Sequence, residues 1–384
     1  MDDFLQLDAG LQDDELLIRD TVNRFVTTEV SPLLLDAYEK AYFPKELIPR
    51  CAELGLFGLT LPPTYGGAGA SYIAYGLVCQ ELERGDSGLR SFISVQNSLC
   101  IYPIFTFGSE TQKQRFLPKM VKGETIGCFG LTEPNAGSDP ASMQTTAKKV
   151  ADGWILHGSK LWITNAPFAD IAIVWAKTSD GIRGFIVEKE FVGFSRHEIH
   201  HKQSLRASST GELVFDNCFV PDANYLPGSE KGLGAPLSCL SQARYGIAWG
   251  AIGAAMACFD KARDYVLERK QFGKPLAANQ LIQKDLADMF TEIIKAQCFN
   301  LQLGHLKDAG KVTSTMISMA KMNACREALK IARMCRNLLG ANGISAEFDV
   351  IRHMNNLESV FTYEGTDNVH HLIIGQYLTG INAF

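Results

Sequence analysis

The residues best placed to do chemistry lie near the C-terminal end, in Phe361-Thr-Tyr-Glu-Gly-Thr366. A single carboxylate, Glu364, stands there between an aromatic ring and a glycine, with Val360 and Phe361 before it and the apolar run Leu372 to Ile374 after it. Such a carboxylate is poorly solvated. Desolvation disfavours the ionised form and raises the pKa, which turns a glutamate into a usable base near neutral pH. Gly365 beside it lets a ligand approach the backbone. The segment alone leaves a second reading open, a buried glutamate that pairs with an arginine or caps a helix.

A cation poses the complementary question. Arg90 adjoins the apolar stretch Phe92 to Phe107, and a buried guanidinium requires an anionic partner. Glu83 or Asp86 supplies one as a structural pair; a substrate carboxylate would be another. Further polar groups cluster in Cys128-Phe-Gly-Leu-Thr-Glu-Pro-Asn-Ala-Gly-Ser-Asp139, where free backbone N–H groups and the hydroxyls of Thr132 and Ser138 suit a polar ring edge or a phosphate, unless the loop only connects. Trp162 beside Thr164 offers a wall for a planar cofactor, or a core indole. Arg269 suits a pyrophosphate or simply a helix end, and Leu338-Leu-Gly-Ala-Asn-Gly343 reads as a helix cap or as free amides.

Three blocks of pattern must position these groups. Residues 1–123 read as helices, with an acidic start at Asp13-Asp14-Glu15, a helix over Ser71 to Arg84, and a capping box at Ser109 and Gln112. Gly67 and Gly69 belong to a loop without the third glycine of a dinucleotide fingerprint. Residues 124–228 hold short β-rich runs at Trp154 to His157, Ile171 to Ala176, Ile182 to Val187 and Glu212 to Phe215, which predict a small antiparallel domain. Residues 229–384 return to helices over about 236–269, 280–308, 312–338 and 367–379, long enough for a four-helix bundle. The fold class is α+β, arranged helices, β domain, helices.

Composition narrows the function classes. The chain is 46% hydrophobic and 21% charged with a net charge of -5, and no basic stripe marks a nucleic-acid partner. No apolar run reaches the roughly 18 residues of a membrane span, and Met1-Asp2-Asp3-Phe4 lacks the regions of a secretory signal. A cytoplasmic protein, or a processed mitochondrial matrix form, is the expectation. The 10 cysteines include no CxxC pair, which argues against zinc and disulfide frameworks, and His200-His201 and His370-His371 lack i, i+4 ligand geometry.

Leu131-Thr-Glu-Pro-Asn-Ala-Gly-Ser-Asp139, Trp162-Ile-Thr164, Arg269-x-x-Phe272-Gly273, Gly340-Ala-Asn-Gly343 and Tyr363-Glu-Gly-Thr366, in that order over essentially the whole chain, resemble the acyl-CoA dehydrogenase family. The resemblance implies FAD held by Phe129, Leu131, Thr132, Gly137 and Ser138 and by Trp162, Ile163 and Thr164. Arg269, Phe272 and Gln280 would reach its nucleotide, with contributions from Asn337, Leu338, Leu339, Gly340 and Ala341 and from Thr366, Asp367 and Asn368. It also implies a homotetramer with the flavin across a subunit interface, and electron-transfer flavoprotein as acceptor. Ser138, Leu240, Ser241, Arg244, Gly365 and Phe384 would line the acyl-CoA path, Arg244 meeting the anionic nucleotide end. Glu364 would remove the α-proton while a β-hydride goes to flavin N5, with the Glu364 N–H and a ribityl hydroxyl stabilising the thioester oxygen. Some members carry the base at the position of Ala243, which cannot serve here.

Within the family, Glu81 to Gln96, Ser204 to Ser208 and Ala243 to Trp249 resemble the branch that acts on glutaryl-CoA. That implies Arg90, Ser91 and Ser94 on the distal carboxylate of a dicarboxylyl-CoA. Glu83 and Tyr363 match the decarboxylating type, which yields crotonyl-CoA and CO2 in lysine and tryptophan degradation. Leu89 departs from the aromatic residue expected there. A short-chain or branched acyl-CoA dehydrogenase, with Arg90 purely structural, is the neighbouring reading, and a non-catalytic assembly factor of the same fold is the reading from another class.

Overall fold

The computed structural model describes residues 3–383, so Phe384 of the expected substrate path lies outside the described residues. The N-terminal helices are α1 (Asp13–Phe25), α2 (Ser31–Lys40), α3 (Leu47–Glu53), α4 (Tyr72–Gly85), α5 (Ser87–Ser94), α6 (Tyr102–Phe107) and α7 (Glu110–Val121). The capping box opens α7: Gln112 N–H donates to Ser109 Oγ and Ser109 N–H to Gln112 Oε1. Between α5 and α6 the backbone widens into a π-helical stretch, Val95–Ile101.

The sheet follows with β1 (Gly127–Gly130), β2 (Thr146–Val150), β3 (Gly153–Thr164), β4 (Ile171–Thr178), β5 (Gly181–Glu188), β6 (Phe194–Glu198) and β7 (Thr210–Pro221). All four predicted runs are strands, and β1, β2 and β6 join them. Antiparallel pairing dominates, with one difference from expectation: β1 runs parallel to β4, and β2 meets β4 in parallel at Thr146 and Lys177. The cause is that β1 and β2 enter the sheet from separate connections rather than from hairpins with β4.

The C-terminal helices are α8 (Gly234–Glu268), α9 (Gln280–Asp308), α10 (Ser314–Leu338), α11 (Val350–Thr362) and α12 (Asp367–Thr379). Helix α11 joins the four that the periodicity predicts. It carries its apolar residues at Val350, Leu357 and Val360, but Arg352, His353 and Asn356 are buried too, which blurs the sequence pattern. No described helix is long and apolar enough to cross a membrane.

Helix α8 is the axis of the helical core. Every residue from Ala243 to Met256 is buried, so the helix is enclosed on all sides rather than along one stripe. Small residues permit this. A Cβ at Gly253 would stand 2.0 Å from the Gln80 carbonyl oxygen, so α4 crosses α8 at backbone contact. The same approach carries Glu83 to the face of α8.

Candidate active site

Glu364 sits in the joint between two helices. Helix α11 ends at Thr362, and Thr366 caps α12, its Oγ1 accepting the Val369 N–H. Glu364 bridges them with φ +51°, a left-handed conformation that costs a non-glycine residue about 1–2 kcal/mol. Gly365 follows at φ +98°. The close approach expected at Gly365 is made by protein groups: a Cβ there would meet His370 Cε1 at 2.9 Å and an Arg244 nitrogen at 3.0 Å.

Buried cations hold this joint. Arg244 Nε donates to the Glu364 carbonyl at 2.6 Å. Lys321 Nζ, from α10, donates to the carbonyls of Tyr363 at 3.0 Å, Gly365 at 2.9 Å and Phe361 at 3.4 Å. The carboxyl oxygen Oε2 of Glu364 is itself buried without a partner among the described residues. Burial therefore pushes the Glu364 pKa up to about 7, against the opposing charges of Arg90, Arg244 and Lys321. Burial also holds His370 down at about 3, helped by Lys321 and Arg244, so its imidazole is neutral.

The second cluster adjoins the first through Tyr363. Arg90 is fully buried and donates from Nε to Glu83 Oε2 at 2.5 Å, while a terminal nitrogen donates to the Tyr363 hydroxyl. Burial works against the Arg90 charge, but Glu83 and Tyr363 keep its pKa raised. Asp86, the other candidate partner, is taken by Arg352 of α11 at 2.5 Å and by Asn356 at 2.9 Å. Ser91 and Ser94 are buried on the same helix as Arg90, and Glu83 Oε1 and Ser94 Oγ lack hydrogen-bond partners among the described residues. Leu89 is 3% exposed and serves as core.

Gly250 of α8 makes room for the pair. A Cβ there would lie 2.1 Å from Glu83 Oε2 and 3.0 Å from Arg90 Nε. Gly250→Ala is expected to cost about 1–3 kcal/mol by overpacking, read as a lower urea midpoint at unchanged slope. An unchanged midpoint would mean that the pair is free to move.

The sheet presents the remaining groups. Leu161 N–H donates to the Thr132 carbonyl at 2.9 Å, which places Thr132 beside Trp162 and Thr164 at the end of β3. Glu133 braces the loop beneath, accepting from Lys160 Nζ at 2.7 Å and from the Thr145 N–H at 3.0 Å. Lys160 also donates to the Leu131 carbonyl. Trp162 adopts φ +63° and is 58% exposed, while Ile163 beside it is buried. Gly137 and Ser138 are exposed, and Phe129 is buried against Trp175. Ser204 Oγ and Ser359 Oγ are 2.6 Å apart, and Leu205 N–H donates to Asn356 Oδ1, fastening the connection between β6 and β7 to α11.

Not every predicted residue converges. Arg269 caps the far end of α8, about 37 Å along the axis from Arg244 at the helical rise. Phe272 and Gln280 are exposed near it, and Asn342 bonds Tyr265, which places residues 337–341 at the same end. Thr366, Asp367 and Asn368 stay with Glu364 instead, Asp367 pairing with Arg326 at 2.9 Å. Arg244, expected at the nucleotide end of the acyl-CoA path, is buried, and its Nε donates to the Glu364 carbonyl. Leu240 and Ser241 lie half-buried one turn before it, Ser241 Oγ donating to the Leu237 carbonyl.

Three family models match the chain: acyl-CoA dehydrogenase N-terminal domain over residues 12–124, middle domain over 128–218 and C-terminal domain over 230–379. A crystal structure of glutaryl-CoA dehydrogenase from Mycobacterium smegmatis is 51% identical with a TM-score of 0.98, covering 100% of this chain and 99% of that one. Another from the same organism, in complex with FADH2, is 50% identical with a TM-score of 0.97, covering 99% and 98%. The short-chain specific acyl-CoA dehydrogenase of Clostridium acetobutylicum is 36% identical over 375 residues, which is 96% of this chain and 98% of that protein.

Proposed function

Because the chain belongs to the acyl-CoA dehydrogenase family, we propose that it is a FAD-dependent glutaryl-CoA dehydrogenase that yields crotonyl-CoA and CO2. The observation that carries this reading is Arg90, a fully buried cation bonded to Tyr363, the residue next to the base. Such a cation is near enough to Glu364 for its charge to favour the carboxylate, as the distal carboxylate of a short dicarboxylyl chain would require.

The residues fit FAD. An exposed indole at Trp162 offers a planar wall, Thr132 and Thr164 bring hydroxyls to the same sheet end, and Glu364 Oε2 meets no donor among the described residues that would compete with a substrate. When bound, FAD supplies the acceptor for the β-hydride and passes the electron pair to electron-transfer flavoprotein. Glu364 takes the α-proton on its carboxylate. Its own N–H, turned by the left-handed backbone, is the donor for the thioester oxygen. Arg90 holds the distal carboxylate with its remaining terminal nitrogen, assisted by Ser91 and Ser94. Once the α,β double bond exists, the γ-carboxylate leaves as CO2 and the γ-carbon takes up one proton. Glu83 and Tyr363 fix the guanidinium throughout.

Residues 269, 272, 280 and 337–341 would complete the flavin site of another copy in a homotetramer. Phe272 at 99%, Leu281 at 72% and Ile344 at 68% exposed give that end of the molecule an apolar surface suited to a second chain. Light scattering of the yellow holoprotein is expected to show an assembly, and Phe272→Asp a smaller, largely colourless one. A flavin-loaded Phe272→Asp monomer would end the shared-site idea.

A second reading is an ordinary short-chain acyl-CoA dehydrogenase, favoured by the pairing that already neutralises Arg90 with Glu83. One experiment separates the two: anaerobic mixing of the holoprotein with glutaryl-CoA and then butyryl-CoA. Faster flavin bleaching by glutaryl-CoA with crotonyl-CoA released is expected; preferential bleaching by butyryl-CoA would favour the second reading.

A further inference from the structure

Lys321 is buried at 1% exposure, and among the described residues its ammonium meets no carboxylate at ion-pair distance. It lies on the apolar stripe of α10 with Ile317, Cys325 and Ala328, where a lysine pays a large desolvation cost. Burial accordingly lowers its pKa. Its three protons are met by three carbonyls, those of Phe361, Tyr363 and Gly365, and Arg244 takes the intervening one of Glu364. These carbonyls belong to the end of α11 and the joint after it, groups that a helix end leaves without partners. Two cations on two helices thus gather the backbone on both sides of a left-handed glutamate.

We infer that Lys321 is a positioning residue for the reaction: by gathering the carbonyls of residues 361, 363 and 365 it holds the joint in the turn that aims the Glu364 carboxylate. This rests on the reading of Glu364 as the base. Without Lys321, three carbonyls lose their donor, and the joint relaxes toward conformations that an ordinary residue prefers. A displacement of about 1 Å at the reacting group costs about 100-fold in rate, so the effect falls on the chemical step and not on substrate affinity. The charge has a second consequence. Glu364 faces Arg90 from α5, Arg244 from α8 and Lys321 from α10, with the neutral Tyr363 and His370 nearby, and Asp367 is the other carboxylate facing Lys321. Removing one of three cations makes the Glu364 carboxylate harder to ionise.

The test uses Lys321→Met holoprotein and the acyl-CoA that the native protein reduces fastest. Flavin reduction at saturating substrate is expected to fall about 10- to 100-fold, with acyl-CoA binding by calorimetry within about threefold of native. The acidic limb of the rate profile, and the carbon-13 titration of the Glu364 carboxyl, are expected to move up by about one pH unit. In Lys321→Ala, propylammonium is expected to restore part of the rate. Reduction and titration unchanged in folded Lys321→Met would overturn the inference, as would a loss that merely tracks the unfolded fraction. If Lys321→Met does not fold, Lys321→Gln, which keeps one donor, is read by the same criteria. Glu364→Gln is the control: full activity there refutes the base reading, whereas an inert Glu364→Gln beside an unaffected Lys321→Met refutes only the inference.

Discussion

Glu364→Gln holoprotein is expected to bind acyl-CoA with near-native affinity while its flavin reduction falls by about 100- to 10,000-fold, the range that general-base removal produces. The substitution keeps the size of the side chain and the bonds from Arg244 and Lys321, which go to backbone carbonyls. Only the proton acceptor is lost. In the native protein the carboxyl titrates near 7 because burial outweighs three nearby cations. The base is the deprotonated form, so reduction is expected to rise with pH through about 7 and to level off above it; Glu364→Gln has no such limb. Stability runs the other way. A carboxyl that ionises near 4.5 in the unfolded chain and near 7 in the fold contributes stability that is present below about 4.5 and lost as pH climbs to about 7. Glu364→Gln is therefore expected to gain melting temperature relative to native at pH 8 and little at pH 4. Stopped-flow bleaching comparable to native would remove Glu364 from the mechanism.

The sequence makes the placing of Glu364 between an aromatic ring and a glycine legible, but not its left-handed backbone. Arg90 is readable as a buried cation, yet Asp86, four residues before it, is nearer in sequence than Glu83, seven before it, which is the partner it takes. The choice between them is made by Arg352, more than 250 residues away, which takes Asp86. Gly250 has no local signal, because its reason is the approach of α4. Lys321 did carry one: a lysine at i+4 within the stripe Ile317, Lys321, Cys325 is a polar residue at a core position. The motif at Arg269 to Gly273 is as specific in sequence as the one at Glu364, and the fold of one chain keeps the two about a helix length apart. Order along a chain says nothing of how far apart the fold sets two motifs.

The proposed carboxylate clamp rests on Arg90, but Arg90→Ala alone decides nothing, because it strands Glu83 as a buried charge and is expected to cost about 3–5 kcal/mol of stability. Inactivity would then follow from either reading. The informative variant removes both charges at nearly constant volume, Glu83→Gln with Arg90→Met. Buried ion pairs replaced by neutral groups of similar size are often neutral or stabilising, so this protein is expected to fold and to retain FAD. It should still bleach with butyryl-CoA, since Glu364, Arg244 and Lys321 are untouched, with the acidic limb moved to higher pH because Arg90 is one of the three cations that favour the carboxylate. With glutaryl-CoA its kcat/KM is expected to drop by roughly 100- to 1,000-fold, the loss that follows when a desolvated carboxylate is left without its cation. The site then holds only neutral donors for that group, the hydroxyls of Ser91, Ser94 and Tyr363, and these do not replace a guanidinium. Native-like turnover of glutaryl-CoA by the double variant would sink the carboxylate clamp, because Glu83 and Arg90 would then be only the internal pair that Gly250 makes room for.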